Sequence, residues 1–161
     1  MKLGIDFGKV IMEPVLNGKA DTSFLGGSFE QAMHTPASER AFEVIAVLVK
    51  AFNGQVWIVS KCGPSVQNKT RAWLEHWDFC SKTGMPAANV RFCLQRHEKV
   101  GICNELGITH FIDDRLDVLE PMSGCVSSLY LFGEQPQELQ LPEGMVHVLN
   151  WTDVEKALLC N

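Results

Sequence analysis

Residues 3–8 read Leu3-Gly4-Ile5-Asp6-Phe7-Gly8, a short apolar run with one carboxylate set into its end and a glycine that permits a sharp exit. An acid in such surroundings needs partners, because an ionised carboxylate left alone among apolar groups is costly. What the other apolar runs end in therefore decides the architecture. Val56-Trp57-Ile58-Val59 runs into Ser60-Lys61-Cys62-Gly63-Pro64, and Thr109-His110-Phe111-Ile112 runs into Asp113-Asp114-Arg115-Leu116-Asp117. Further runs lie around Val90–Leu94, Ser128–Phe132 and Val146–Leu149. Most are continuously apolar rather than alternating, the mark of strands covered on both faces, as in parallel sheets.

Helical patterns separate these runs. Phe42, Ile45, Val49 and Phe52 recur at helical spacing, predicting a helix opened by Pro36-Ala37-Ser38-Glu39-Arg40 and stopped by Asn53-Gly54. Others are expected over about Ser65–Trp77 and over Glu98–Leu106, the latter stopped by Gly107. A helical turn or two fits Leu116–Met122, and Thr152-Asp153-Val154-Glu155 has the form of a capping box that opens a closing helix. A linker with Gly84 and Pro86 leads to the Val90 strand, and residues 11–35, with Pro14, Gly18, Gly26 and Gly27, read as a long loop or small lid. Strands alternating with helices define an α/β protein, expected to be one domain over residues 1–161 with 11–35 as a small insert.

The size agrees: 161 residues and 17.9 kDa can bury a two- or three-layer core. The hydrophobic fraction is 46% against 20% charged, which argues against wholesale disorder. Lys plus Arg number 14 and Asp plus Glu 19, so the net charge of -5 gives no indication of a broad nucleic-acid surface, without excluding one. No membrane span or secretory leader is visible, and Asp6 stands where a leader would need its apolar centre. The cysteines at 62, 80, 93, 103, 125 and 160 form no C-x-x-C pair, so they read as reduced thiols of a cytoplasmic protein.

In an open α/β sheet, ligands bind beyond the carboxyl ends of the strands, where strand order reverses. If the strands ending in Asp6 and in Asp113-Asp114 are neighbours, their carboxylates converge. Clustered acids raise one another's pKa, and a cation relieves them. Oxygen ligands of this kind suit Mg²⁺, which can also hold a phosphate oxygen.

Taken together, Asp6-Phe7-Gly8-Lys9-Val10, Ser60 after its apolar strand, Lys99, and Asp113-Asp114-Arg115-Leu116-Asp117 after theirs resemble, in order, the motifs of the haloacid-dehalogenase-like superfamily, mostly Mg²⁺-dependent phosphatases. The resemblance runs over nearly the whole chain, and its acidic motif is similar to that of small nucleotidase-type members. It implies a three-layer α/β/α parallel sheet, Rossmann-like, with strand order near 3-2-1-4-5 and a very small or absent cap. It further implies Asp6 as a nucleophile forming an aspartyl-phosphate, Ser60 as a donor to phosphate, and Lys99 as the charge that neutralises the transferring group. Mg²⁺ would be held by Asp6, the Gly8 carbonyl and Asp114, with Asp113 and Asp117 close by or bound through water. Amides of residues 7 and 61 would complete the phosphate cradle.

The chain departs from the pattern at Gly8. Phosphatases of the family carry there a second Asp that protonates the leaving group and then activates water. Such help is typically worth about 10²–10⁴-fold, so a slow phosphatase is expected unless Glu13 or His34 reaches back from the 11–35 segment; the adjacent Lys9 is an ammonium and no base. Two alternatives stand beside it. One is a fold kept for binding Mg²⁺ and a phosphorylated ligand, or as a scaffold. The other is the carbon–halogen or carbon–phosphorus hydrolysis of members that lack this acid; the acidic cluster argues against the first of these, and nothing promotes Lys19 to the cap lysine of the second. With so little cap, the substrate would be a phosphorylated small molecule under cover of a second subunit, or a bulky phosphoester such as a polynucleotide end or phosphoprotein. Packing is the simpler account of His76, Cys80, Cys93 and His97 than zinc, and of Trp73, Trp77 and Phe79 than a base-stacking platform. Cys62 lacks the His partner that a thiol nucleophile needs.

Overall fold

Leu3, Gly4 and Ile5 pair in parallel on both sides, with Val56–Ile58 and with His110–Ile112. The computed structural model describes residues 1–13, 15–16, 19–20 and 23–160, and of residues 15, 16, 19, 20, 23 and 25 the backbone alone. In chain order the elements are β1 (Leu3–Ile5), β2 (Val15–Leu16), β3 (Lys19–Ala20), α1 (Ser23–Gly26), α2 (Phe29–Met33), α3 (Ala41–Ala51), β4 (Val56–Lys61), α4 (Pro64–His76) and α5 (Phe79–Thr83). They continue with β5 (Val90–Cys93), α6 (Glu98–Leu106), β6 (His110–Asp113), α7 (Leu116–Leu119), a 3₁₀ turn (Glu120–Gly124), β7 (Ser128–Phe132), β8 (Met145–Val148) and α8 (Trp151–Leu159).

Six strands form one parallel sheet in the order β5-β4-β1-β6-β7-β8. Counted among these six, the order is 3-2-1-4-5 extended by a sixth strand. Leu3, Ile5, Val56 and Ile58 face one apolar cluster with Val44 and Leu48 of α3, Trp73 of α4, Phe79 of α5 and Trp151 of α8. Val59, Phe111 and Leu131 face the other, with Ile102 and Cys103 of α6, Val118 and Leu119 of α7, and Met122. The result is a three-layer α/β/α sandwich of the Rossmann-like kind.

One glycine is required by this packing. A Cβ on Gly4 would lie 2.5 Å from the Phe111 ring edge, so β1 can sit against β6 only without a side chain there.

Several local expectations are corrected. Residues 36–38 do not begin a helix. Glu13 N donates to the Pro36 carbonyl and Ser38 N to that of Ile11, which holds them extended, and α3 starts at Ala41 after Arg40 in a left-handed conformation. The closing helix is capped by Asn150, whose side chain accepts from Asp153 N while Asp153 accepts from Leu149 N. Thr152 instead accepts from Arg40. The linker after α4 contains the five-residue α5, too short to show a period. Within 11–35, α2 is fastened to α4 by Trp73 Nε1 on the Thr35 carbonyl and Trp77 Nε1 on that of Met33. The end of α2 and the residues just after it are therefore seated on α4. Lys19 falls on β3, and its side chain lies outside the described residues.

Candidate active site

Asp6 follows β1 directly, its amide held by the Ile112 carbonyl (2.9 Å) of β6. Because β1 is flanked by β4 and β6, the ends of all three strands open on one edge of the sheet. Asp6, Asp113 and Asp114 thus meet: a carboxylate oxygen from each lies within 4.8 Å of the others. Asp6 and Asp113 are buried and Asp114 is half-exposed.

Lys99, the second residue of α6, reaches into this cluster. Its Nζ donates to Asp6 Oδ1 at 2.9 Å and to Asp113 Oδ2 at 2.8 Å, with the side chain only 3% exposed. The ammonium also lies 5.8 Å from the centre of the Phe111 ring. The other oxygen of Asp113 accepts the Arg115 amide at 3.0 Å. Asp113 is therefore engaged at both oxygens, whereas Asp114 is only partly buried.

Burial pulls the Lys99 ammonium toward deprotonation, but the charges of Asp6 and Asp113 together outweigh it and raise its pKa. Burial first, and then the Asp6 charge, push Asp113 well above the ordinary carboxylate range. The same two causes lift Asp114 to about 6. Lys99 pairs with only two of the three carboxylates, and Lys9 reaches the third, Asp114, through its field alone. The remaining charge calls for a proton or a cation, and three hard oxygen donors fit Mg²⁺.

After Asp6 the chain turns tightly. The Phe7 carbonyl accepts the amides of Val10, Ile11 and Met12, and Trp151 Nε1 donates to the Val10 carbonyl at 2.8 Å. Gly8 sits on this turn with its φ outside the left-handed region and nothing within 4 Å of where a Cβ would be. The position is vacant in sequence but open in space. Lys9, in the left-handed region, brings its charge close enough to lower the Asp114 pKa.

Ser60 is buried near the end of β4, on the strand that pairs with β1. Asp117 is the candidate that the fold does not bring into the carboxylate cluster. It is exposed and bound at both oxygens by Arg115 (2.9 and 2.8 Å), because the chain has by then entered α7. Glu13 is exposed at the edge of its turn, and His34 caps the end of α2. Burial raises the Cys62 thiol, the opposite of what an attacking thiolate needs. Trp73 and Phe79 are fully buried core. Among the described residues, Asp6, Asp113 and Asp114 are the only cluster of His, Cys, Asp or Glu ligands, so no zinc set forms there. Two contributions escaped sequence reading, the Arg115 amide on Asp113 and the Phe111 ring beside Lys99. Neither uses a side chain whose type announces the role.

No family model and no curated protein matches the chain. Solved structures similar over nearly its whole length include two hydrolases. One is the D,D-heptose 1,7-bisphosphate phosphatase from B. bronchiseptica, complexed with magnesium and phosphate (15% identity, 99% of this chain and 98% of that one, TM-score 0.69). The other is a haloacid-dehalogenase-superfamily hydrolase from Ehrlichia chaffeensis (11% identity, 97% and 94% covered, TM-score 0.57). At these identities the likeness shows the fold alone, the three-layer α/β/α parallel sheet. No helix among the described residues is long and apolar enough to cross a membrane.

Proposed function

We propose that this protein is a Mg²⁺-dependent phosphoester hydrolase that works through an aspartyl-phosphate at Asp6 and turns over slowly because Gly8 supplies no general acid or base. The observation that carries the reading is the Lys99 ammonium between Asp6 and Asp113, with the partly buried Asp114 beside them. The structural likeness to a phosphatase complexed with magnesium and phosphate supports it.

Asp6, Asp114 and the Gly8 carbonyl would hold the ion, and Asp113 serves chiefly to position Lys99. Bound there, Mg²⁺ supplies Lewis-acid stabilisation of the phosphoryl oxygens. The rest is the chain's own work. Lys99 fixes Oδ1 of Asp6 and offsets charge on the phosphoryl group as it is transferred. Ser60 donates to a phosphoryl oxygen. An Asp6 oxygen attacks phosphorus and the ester P–O bond breaks, the leaving oxygen taking its proton from water. Water then attacks the same phosphorus, the P–O bond to Asp6 breaks, and inorganic phosphate departs. Without a side chain at position 8, neither proton transfer is assisted. Localisation in the cytoplasm and a phosphorylated small molecule or bulky phosphoester as substrate belong to this proposal, as does cover by a second subunit.

The bare Gly8 position also favours a second reading, a protein that binds Mg²⁺ and a phosphorylated ligand without turnover, or a scaffold. A broad phosphoester screen with Mg²⁺ separates them, with Asp6→Asn as control. Hydrolysis by the wild type that is lost in the variant supports the enzyme. Equal background from both leaves the binding role.

A further inference from the structure

A cleft of about 310 Å³ lies on the α6–α7 side of the sheet. Lys61, Gln95, Arg96 and His97 line it together with Asp117, over apolar floor from Val118. Three segments that build the catalytic edge also build this cleft. Lys61 follows Ser60 on β4, Arg96 and His97 precede Lys99 at the start of α6, and Asp117 follows the Asp113-Asp114 pair. Arg115 ties the two regions together, its amide on Asp113 of the cluster and its guanidinium on Asp117 of the cleft.

The cleft's charge is positive. Asp117, its one acid, is neutralised by the two hydrogen bonds from Arg115 and feels Arg96 as well. Glu98, next along the chain, turns its carboxylate back onto the Gln95 amide at 2.8 Å. Lys61 and Arg96 are left as exposed cations with no carboxylate bonded to them among the described residues, and the imidazole of His97 and the amide of Gln95 stand beside them. Lys99 cannot serve this cleft, since both its acceptors lie in the carboxylate cluster. An ammonium, a guanidinium and an imidazole lining one small cleft match an anionic oxygen group.

We propose that the cleft is a second anion subsite, and that the preferred substrate is a small phosphomonoester carrying another anionic group, phosphate or carboxylate, a few bonds from the scissile one. The inference rests on the phosphohydrolase reading and narrows it: Lys61 and Arg96 choose the substrate, and Asp6 acts on it. It sets the small molecule above the bulky phosphoester.

The test is calorimetry on the full chain with Mg²⁺, using four probes: inorganic phosphate, a sugar monophosphate, the matching sugar bisphosphate, and a phosphorylated hydroxy acid. The bisphosphate or the phospho-acid should bind at least about tenfold tighter than the monophosphate, and whichever does so identifies the second group. Lys61→Ala and Arg96→Ala should each remove most of that preference, weakening the doubly anionic ligand about tenfold more than the monophosphate. Arg96→Lys should restore part of it. Equal affinity for all three esters in the wild type, or a preference unchanged in both alanine variants, overturns the subsite alone. Failure of inorganic phosphate and of every ester to bind overturns the phosphohydrolase reading, and the subsite with it.

Discussion

Gly8→Asp is the substitution with the most to say. A side chain added at Gly8 meets nothing within 4 Å, and the backbone there is not left-handed, so an aspartate enters without strain. It would lie two residues from Asp6, on the turn held by the Phe7 carbonyl and Trp151. If proton transfer is what the chain lacks, the gain should be that of a positioned general acid–base, about 10²–10⁴-fold. At about 1.4 kcal/mol per factor of ten, the barrier falls by about 3–5 kcal/mol. The assay is Mg²⁺-dependent release of phenolate from an aryl phosphate and, because phenolate is a good leaving group, a parallel assay on an alkyl phosphate. The alkyl ester should gain more, since its leaving oxygen needs the proton more. Asp6→Asn in the Gly8→Asp background should abolish the gain. A stable, Mg²⁺-binding Gly8→Asp protein with no increase on either ester would refute the reasoning.

Three further outcomes follow from the same geometry. Lys99→Ala leaves Asp6 and Asp113 without their ammonium, and breaking such a buried pair typically costs about 3–5 kcal/mol. Chemical denaturation should show that loss in metal-free protein and a smaller one with Mg²⁺ present; an unchanged midpoint would contradict the role given to Lys99. Gly4→Ala drives a methyl into the buried Phe111 ring, an overpacking worth about 1–3 kcal/mol, and a melting temperature equal to wild type would show that the β1–β6 contact yields more easily than drawn. The pH dependence has a definite sign. A carboxyl raised by folding favours the native state below its unfolded pKa and loses that contribution as pH climbs through its folded value. With Asp114 near 6 and Asp113 shifted the same way, metal-free protein should lose stability between about pH 4 and pH 6 from these groups. Added Mg²⁺ should consequently raise the melting temperature more at pH 7.5 than at pH 5, and equal increments at both would count against the carboxylate cluster as the metal site.

The sheet was legible because most of its strands are near-continuous apolar runs, and those of β1, β4 and β6 end in an abrupt change of character. Asp6 and the Asp113-Asp114 pair could be expected to meet, since both stand at strand ends and a parallel sheet aligns those ends. What pattern could not carry was context. Pro36-Ala37-Ser38 looks like a helix start until the amides of Glu13 and Ser38 find partners across the chain. Asn150 outcompetes Thr152 as a cap because its side chain is the one at the reach of Asp153 N. Adjacent acids carry no sign of which is anchored; the Arg115 amide and Lys99 fall on Asp113, and Asp114 is the more exposed of the two. Asp117 shows the limit most plainly, since the one helical step that lies between it and Asp114 hands its carboxylate to Arg115.

Everything chemical here depends on an electrophilic phosphoryl group reaching the Asp6 carboxylate. A crystal structure of the protein soaked with Mg²⁺ and beryllium trifluoride tests that contact in one experiment. The trifluoride should sit on an Asp6 oxygen, within hydrogen-bond reach of Lys99 and Ser60, with the ion shared between Asp6 and Asp114. Fluoride density away from Asp6, or a metal bound without either carboxylate, would contradict the account.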